Sequence, residues 1–162
     1  MASSPSRNLV ISVLFAVFGC PGILGVYLPA AITRWRIPPA APLVRALAWA
    51  LIAGSLAPLV ESITRFVWAG HGTLVPFAPT ETLVVSGFYR YMRNPMYIAV
   101  LIGIAGQTLL FQSLYLAVYG VFVAFGFHLF VVLYEEPTLR KKYGPSYEAF
   151  CHCVPRWIPK FR

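Results

Sequence analysis

The stretch NPMYIAVLIGIAGQTLLFQSLYLAVYGVFVAFGFHLFVVLY at residues 94–134 decides the fold, because none of its 41 residues is Asp, Glu, Lys or Arg. A single helix of that length would be about 60 Å long at ~1.5 Å per residue, roughly twice the hydrocarbon core of a bilayer. The run is therefore expected to fold back on itself as a transmembrane hairpin, with its reversal near residues 107–113. A hairpin returns both ends to one membrane face, so the flanking clusters YRYMRNPMY (89–97) and YEEPTLRKKYG (134–144) are predicted to lie side by side.

The composition extends this membrane interpretation to the whole chain. Hydrophobic residues make up 59% of it, charged residues 11%, and the mean hydropathy is +0.71, values typical of membrane proteins. Residues 8–33 and 42–60 are long enough to cross a bilayer, and Cys20-Pro21-Gly22 predicts a kink in the first of them. We therefore predict an all-α, polytopic membrane protein with about four transmembrane helices. The predicted layout of its single domain (1–162) is two amino-terminal spans in 1–60, an interfacial loop in 61–93, the hairpin in 94–134 and a cofactor-closing cytoplasmic tail in 135–162.

The basic residues indicate the orientation of the hairpin and the partners of the chain. Most of them fall on one side of the four-span arrangement, and we expect this to be the cytoplasmic side of the inner membrane. These residues are Arg65, Arg90, Arg93, Arg140, Lys141, Lys142, Arg156, Lys160 and Arg162. The formal net charge is +8, but these cations sit at span ends and are not interleaved with stacking aromatics, which favours anionic lipid headgroups over nucleic acid. Three cysteines give no disulfide framework, and Cys151-His152-Cys153 has poor metal-ligand spacing.

Two segments outside the hairpin carry weaker signals. Glu61 and Arg65 are spaced to pair on one helical turn, and the Gly- and Pro-rich stretch after them can be read as an interfacial anchor or as a lid over the hairpin mouth. In the tail, Pro137 predicts a helix break. Leu139, Tyr143, Tyr147 and Phe150 then recur at helical spacing with a second break at Gly144-Pro145, which predicts a short amphipathic helical stretch on the membrane surface.

The candidate site consists of the residues that the hairpin brings together. Glu135 and Glu136 are two of only five acidic residues in the chain, and the hairpin sets them opposite Arg93, Asn94 and Tyr97. Donors facing acceptors at the edge of an apolar pocket suit a zwitterionic ligand that has ribose hydroxyls, an amino group and a carboxylate. The alternative is that the two carboxylates simply pair with Arg93 or Arg140. His128, Gln107 and Gln112 are expected to be packing or helix-contact residues, and His71 is free to carry a proton.

At these residues the chain resembles the isoprenylcysteine carboxyl methyltransferase and phospholipid methyltransferase superfamily of integral membrane methyltransferases. The resemblance covers about residues 70–159 and rests on GFYRYMRNPMY, the hairpin, and YEEPTLRKKYGPSYEAFCHCVPRWIP, in that order. It implies that two walls enclose S-adenosylmethionine at the cytosolic mouth and that a lipid-like substrate enters from the membrane. The first wall would be formed by Arg93, Asn94, Pro95 and Tyr97, and the second by Glu135 and Glu136, with Tyr147 in the closing segment. The isoprenylcysteine branch usually has His at the position of Asn94; Asn can donate and accept hydrogen bonds but cannot act as a base near neutral pH.

Together these observations predict an S-adenosylmethionine-dependent methyltransferase that acts on a lipidic or apolar acceptor, with Arg93 and Glu136 as catalytic residues. A carboxylate acceptor needs no base, and Arg93 would orient it; an amine acceptor must lose a proton, for which Glu136 or His71 are candidates. Two alternatives stay open. One is a membrane NADPH-dependent reductase related to sterol reductases, whose 2′-phosphate site would have to be residues 140–142. The other is a non-enzymatic membrane scaffold or transporter. No glycine-rich turn follows a strand, so a Rossmann methyltransferase is not expected.

Overall fold

The computed structural model describes residues 5–68 and 82–160, and its regular elements within those ranges are all helical. The predicted all-α class is confirmed. In chain order the helices are α1 (Pro5–Phe18), α2 (Cys20–Gly22), α3 (Leu28–Thr33), α4 (Pro42–Trp68), α5 (Pro95–Phe111), α6 (Leu114–Phe130), α7 (Glu136–Tyr143) and α8 (Pro145–Cys153). A π-helical turn at Ile23–Tyr27 joins α2 to α3, a second at Val131–Glu135 joins α6 to α7, and a 3-10 turn at Gly87–Arg90 precedes α5.

The uncharged run forms the predicted hairpin of two 17-residue helices, α5 and α6. Pro95 starts α5, where its missing N–H group is not needed for the helical hydrogen bonds. The chain reverses at Gln112, which has a left-handed backbone (φ 46°), and at Ser113, whose side chain accepts a hydrogen bond from the Leu116 N–H at 3.3 Å. The reversal thus falls within the predicted window of residues 107–113, and both ends of the run return to one side.

The most extensive helix contact joins α4 to α5, and small residues bring their backbones close together. A Cβ atom added at Gly106 would lie 2.9 Å from the Ala48 carbonyl oxygen and 2.8 Å from Cγ1 of Ile52. At Gly103 the nearest atom would be Oγ of Ser55, at 3.2 Å. Association through small residues is characteristic of helices in membranes, where lipid competes for ordinary apolar contacts.

The amino-terminal segment is helical but irregular, with α1 ending before the predicted kink at residues 20–22. A π-helical turn leaves carbonyl groups without their usual partners, and two side chains of the hairpin supply them. Gln107 donates from Nε2 to the Gly25 carbonyl at 2.7 Å, and the Tyr119 hydroxyl donates to the Leu24 carbonyl at 2.8 Å. Gln107 is therefore a helix-contact residue, as expected.

Helix α4 runs to Trp68, eight residues beyond the predicted end of the second span at residue 60. That boundary was set where charged residues begin, but these pair along the helix: Arg65 Nε lies 3.3 Å from Glu61 Oε1. The Gly- and Pro-rich anchor or lid, including His71, falls largely on residues 69–81, outside the described residues.

The helix break predicted at Pro137 is wrong, because the chain is helical without interruption from Leu114 to Tyr143. The π-helical turn at Val131–Glu135 explains why: Glu136 donates its backbone N–H to the Val131 carbonyl across the wider turn. Pro137 then occupies the first turn of α7, where a missing N–H group costs little. The break predicted at Gly144-Pro145 is confirmed, since Gly144 has φ 54° and α8 begins at Pro145.

Two helices within the described residues are long and apolar enough to cross a membrane, Pro42–Arg65 and Leu114–Tyr143. Ile23–Thr33 and Pro95–Phe111 are shorter apolar helices, so the count of four spans stays a prediction. Large apolar side chains on α4 and α6 are exposed, among them Leu43, Val121 and Phe122. Exposed apolar faces of this extent are typical of a lipid environment.

Candidate functional site

The two ends of the hairpin meet through one ion pair and one hydrogen bond. Arg93 Nη1 lies 2.9 Å from Glu136 Oε1, and the Tyr97 hydroxyl donates to Glu135 Oε2 at 2.8 Å. Successive residues of a regular helix point about 100° apart, but here Glu135 ends the π-helical turn and Glu136 begins α7. Both carboxylates thereby reach the start of α5, and the juxtaposition expected from the sequence is observed.

Glu136 is the centre of the site, and its side chain is only 4% exposed. Besides Arg93, it binds Arg156 through two hydrogen bonds, from Nε to Oε1 at 2.6 Å and from Nη2 to Oε2 at 3.0 Å. The fork of a guanidinium matches a carboxylate in this bidentate geometry, and the bond to Glu136 raises the pKa of Arg156. Arg140 is more distant, at 3.9 Å, and binds Glu148 at 2.8 Å instead.

Arg156 belongs to the segment 154–160, which closes the mouth of the hairpin by backbone contacts. The Arg93 N–H donates to the Pro155 carbonyl at 2.9 Å, and the Lys160 N–H donates to the Tyr91 carbonyl at 3.0 Å. Asn94 occupies the position before α5 but does not cap it; its Nδ2 donates to the Arg156 carbonyl at 3.1 Å. Asn94, predicted as a ligand-binding residue, thus holds the closing segment in this structure.

Arg93 has an incomplete set of partners in the described part of the chain. Its Nη1 donates to Glu136 and also to Cys151 Sγ at 3.0 Å, and its charge lies near the hydroxyl of Tyr147. Its Nε is buried and lacks a partner among the residues described. An unsatisfied buried donor on a cation is costly, which makes it a position where an anionic or hydrogen-bond-accepting group of a ligand fits.

Tyr147 lies in this cluster as predicted, with only 3% of its surface exposed. Burial raises the pKa of its hydroxyl, and the nearby Cys151 and Glu136 raise it further, whereas Arg93 acts in the opposite direction. The hydroxyl therefore stays protonated at neutral pH and is available as a hydrogen-bond donor.

Aromatic rings surround Tyr97, whose hydroxyl binds Glu135. The rings of Tyr97 and Phe127 are 4.7 Å apart, and Trp157 of the closing segment lies 6.4 Å from Tyr97. Trp157 donates from Nε1 to Nδ1 of His128 at 3.3 Å. His128 is therefore a packing partner of the closing segment, in keeping with the sequence expectation.

The carboxylate of Glu61 orders the turn that leads into Arg93. Glu61 Oε2 accepts the Phe88 N–H at 3.0 Å, and Gly87, with φ 63°, leaves room for this carboxylate. Tyr89 is buried in the same turn, and burial raises the pKa of its hydroxyl. Sequence reasoning predicted the pairing of Glu61 with Arg65 but missed this contact, because it depends on the turn at residues 87–90.

Pro95 and the Cys151-His152-Cys153 run are the remaining residues that the sequence analysis discussed. Pro95 contributes to the backbone at the start of α5. The Cys151-His152-Cys153 run forms no metal centre, and no group of three or more metal-ligating side chains occurs among the described residues. Arg156 is the main residue that the sequence reasoning missed as a site residue, although its motif VPRWIP was noted.

Comparison with known proteins gives one match. Searches of curated protein sequences and of solved structures found nothing similar. The sequence profile of the family described as phospholipid methyltransferase matches residues 43–146. The match includes α4 from its second residue, the hairpin, Glu135 and Glu136, and it ends before Tyr147 and Arg156. Since it covers more than half of the chain, this protein belongs to the phospholipid methyltransferase family of membrane methyltransferases.

Proposed function

We propose that this protein is a multi-pass, integral membrane methyltransferase that uses S-adenosylmethionine to methylate a lipidic or apolar small molecule. Family membership supports the reaction class. The observation that carries the proposal is the buried Arg93 Nε, which has no partner among the described residues and belongs to the side chain that binds Glu136. The proposed orientation puts this site at the cytoplasmic face of the inner membrane, where most of the basic residues would lie.

The donors and acceptors of the site fit such a cofactor. Two guanidiniums, Arg93 and Arg156, face the single carboxylate of Glu136, so one positive charge is left for a ligand carboxylate. The neighbouring Glu135 receives a hydrogen bond from Tyr97 and retains acceptor capacity for an ammonium or ribose hydroxyl. A zwitterion can therefore be held with its two charges on adjacent residues. The proposed cofactor-binding residues are Arg93, Asn94, Pro95, Tyr97, Glu135, Glu136 and Tyr147. We add Arg156 to this proposal because it binds Glu136.

When bound, S-adenosylmethionine supplies a methyl group on a sulfonium, which a nucleophile can displace in line. For a carboxylate acceptor, Arg93 would orient the nucleophile and no base is required. For an amine acceptor, Glu135 is the better placed proton acceptor, because both oxygens of Glu136 are already engaged by Arg156. Glu136 then acts as an anchor for the two arginines. The aromatic rings beside Tyr97 limit access of water.

The reductase alternative has less support. A 2′-phosphate would need the cations of residues 140–142, and Arg140 is already paired with Glu148 at 2.8 Å. The family match also favours methyl transfer. A scaffold or transporter would not require the bidentate pair between Arg156 and Glu136 at the mouth of a hairpin.

The test is calorimetric titration of the full chain, in lipid nanodiscs, with S-adenosylhomocysteine and with NADPH. Saturable binding of the first ligand alone is expected. Binding of NADPH alone would support the reductase, and binding of neither ligand by folded protein would refute both enzymatic assignments. Transfer of a labelled methyl group to an aminophospholipid or to a prenylated cysteine then distinguishes an amine from a carboxylate acceptor.

A further inference from the structure

Three exposed cations on the face that bears the site have no acidic partners in the described part of the chain. Arg90, Lys141 and Lys160 are exposed, and the ion pairs of the structure do not include them. The four described acidic residues are already engaged. Glu61 and Glu148 pair with Arg65 and Arg140, Glu136 binds two arginines, and Glu135 accepts from Tyr97. The acidic residues that the structure describes therefore do not neutralise this positive surface.

These cations lie close to the expected membrane boundary. The first 20 residues of the helix Leu114–Tyr143 would cross about 30 Å at ~1.5 Å per residue, which matches the hydrocarbon core. They end at Leu133, whose side chain is 71% exposed. Lys141 follows about 12 Å beyond that point along the helix, at the outer edge of the headgroups and within about one Debye length of them.

The closing segment presents a second contact with the same boundary. Ile158 is 79% exposed, although it stands between residues that are held by hydrogen bonds. Lys160 is two residues further on, and its N–H bonds to the Tyr91 carbonyl, next to Arg90. An exposed apolar side chain flanked by cations is the pattern of a segment that inserts shallowly among anionic lipids.

We propose that Arg90, Lys141, Lys160 and Ile158 form a docking surface for the anionic phospholipid headgroups of the adjacent leaflet. This surface is separate from the candidate cofactor site and does not depend on the proposed reaction. Docking would hold α7 and the segment 154–160 in the positions at which Glu136 and Arg156 meet. Anionic lipid therefore tightens the closed arrangement of the mouth.

Hydrogen–deuterium exchange of the full chain in nanodiscs tests this docking. The comparison is between discs of phosphatidylcholine and discs with about one third phosphatidylglycerol. We expect the amides of residues 139–143 and 156–160 to exchange several-fold more slowly in the anionic discs, and the difference to disappear in ~1 M salt, where the Debye length is about 3 Å. The variant Lys141→Gln/Lys160→Gln should lose the difference.

The matched control is Arg34→Gln/Arg36→Gln, which removes two exposed cations before α4 and should keep the full response. Equal exchange of the wild type in both lipid compositions would overturn the proposal. So would a Lys141→Gln/Lys160→Gln variant that responds like the wild type. Because exchange is measured without cofactor or acceptor, the result is independent of whether the protein transfers methyl groups.

Discussion

Arg156 binds both carboxylate oxygens of Glu136, at 2.6 and 3.0 Å, across a separation of 20 residues. This pair fixes the closing segment on α7. The buried Nε of Arg93 has no hydrogen-bond partner among the described residues. We therefore expect Arg156→Ala to weaken binding of S-adenosylhomocysteine by about 10- to 100-fold, as is typical for loss of a charged hydrogen-bond pair. Arg156→Lys should be intermediate, because it keeps the charge but not the bidentate geometry. Calorimetry measures both, with Arg36→Gln as the control; wild-type affinity in Arg156→Ala would contradict the role.

Glu136→Gln should destabilise the protein as well as impair the site. Removing one partner of a buried ion pair typically costs about 3–5 kcal/mol, and here two guanidiniums would lose their carboxylate. Glu148→Gln is the matched control, since its pair with Arg140 is half-exposed and should contribute about 0–1 kcal/mol. Chemical unfolding in a mild detergent compares the two. Equal losses of stability would mean that Glu136 is solvated in the working protein.

Tyr97→Phe isolates the hydroxyl that binds Glu135. The ring and its contact with Phe127 are retained, so the fold should be kept, while Glu135 loses its donor. We expect affinity for S-adenosylhomocysteine to fall about tenfold, a typical effect for a hydrogen bond to a charged group. Tyr134→Phe, which changes a partly exposed neighbour of Glu135, should leave the affinity unchanged. A similar fall in both variants would point to general disturbance of the π-helical turn.

Gly106→Ala should separate α4 from α5. The added methyl group would lie within 3.0 Å of the backbone of Ala48 and Ile52, and backbone atoms cannot move aside as a flexible side chain can. Overpacking of this kind typically costs about 1–3 kcal/mol. Gly54→Ala, where nothing lies within 4 Å, should be neutral or stabilising. Thermal unfolding of the two variants in the same detergent provides the measurement, and equal midpoints would show that the helices are not in close contact.

Gly87→Ala should disturb the turn before Arg93 for two reasons. The position has φ 63°, and an added Cβ would overlap the carboxylate of Glu61. Gly144→Ala provides the comparison, because it has φ 54° but no atom within 4 Å, so it suffers backbone strain alone. We expect Gly87→Ala to be the more destabilising, and Glu61→Ala to relieve part of its cost in the double variant. If the changes in stability caused by Gly87→Ala and Glu61→Ala were strictly additive in the double variant, the overlap between the added Cβ and the Glu61 carboxylate would be ruled out.

The hairpin and the meeting of its ends were predictable because they follow from the length of an uncharged run and the thickness of a bilayer. The position of the reversal was likewise predicted, within residues 107–113. The pairing of Tyr97 with Glu135 needed only the hairpin topology. In these cases one physical constraint was sufficient.

Other features depend on backbone geometry and on contacts between distant residues, which the sequence pattern does not reveal. Pro137 was predicted to break the helix, but the π-helical turn before it accommodates the absence of an N–H group at Pro137. The residues next to Pro137 in the sequence do not indicate this turn. Arg156 was missed since its partner lies 20 residues away and its role depends on how the tail folds back. The extension of α4 to Trp68 was missed because the second span was predicted to end at residue 60, just before the charged residue Glu61.

The π-helical turn at Val131–Glu135 has a consequence for how this site tolerates changes in chain length. Such a turn holds one residue more than the α-helix it interrupts. Deleting one residue within the turn would restore regular winding, whereas deleting one residue from the regular part of α6 would rotate everything after the deletion by about 100°. Glu136 would then turn away from Arg93 although every side chain of the site was still present. The spacing between Tyr97 and Glu136 is thus as much a part of the site as the identity of either residue.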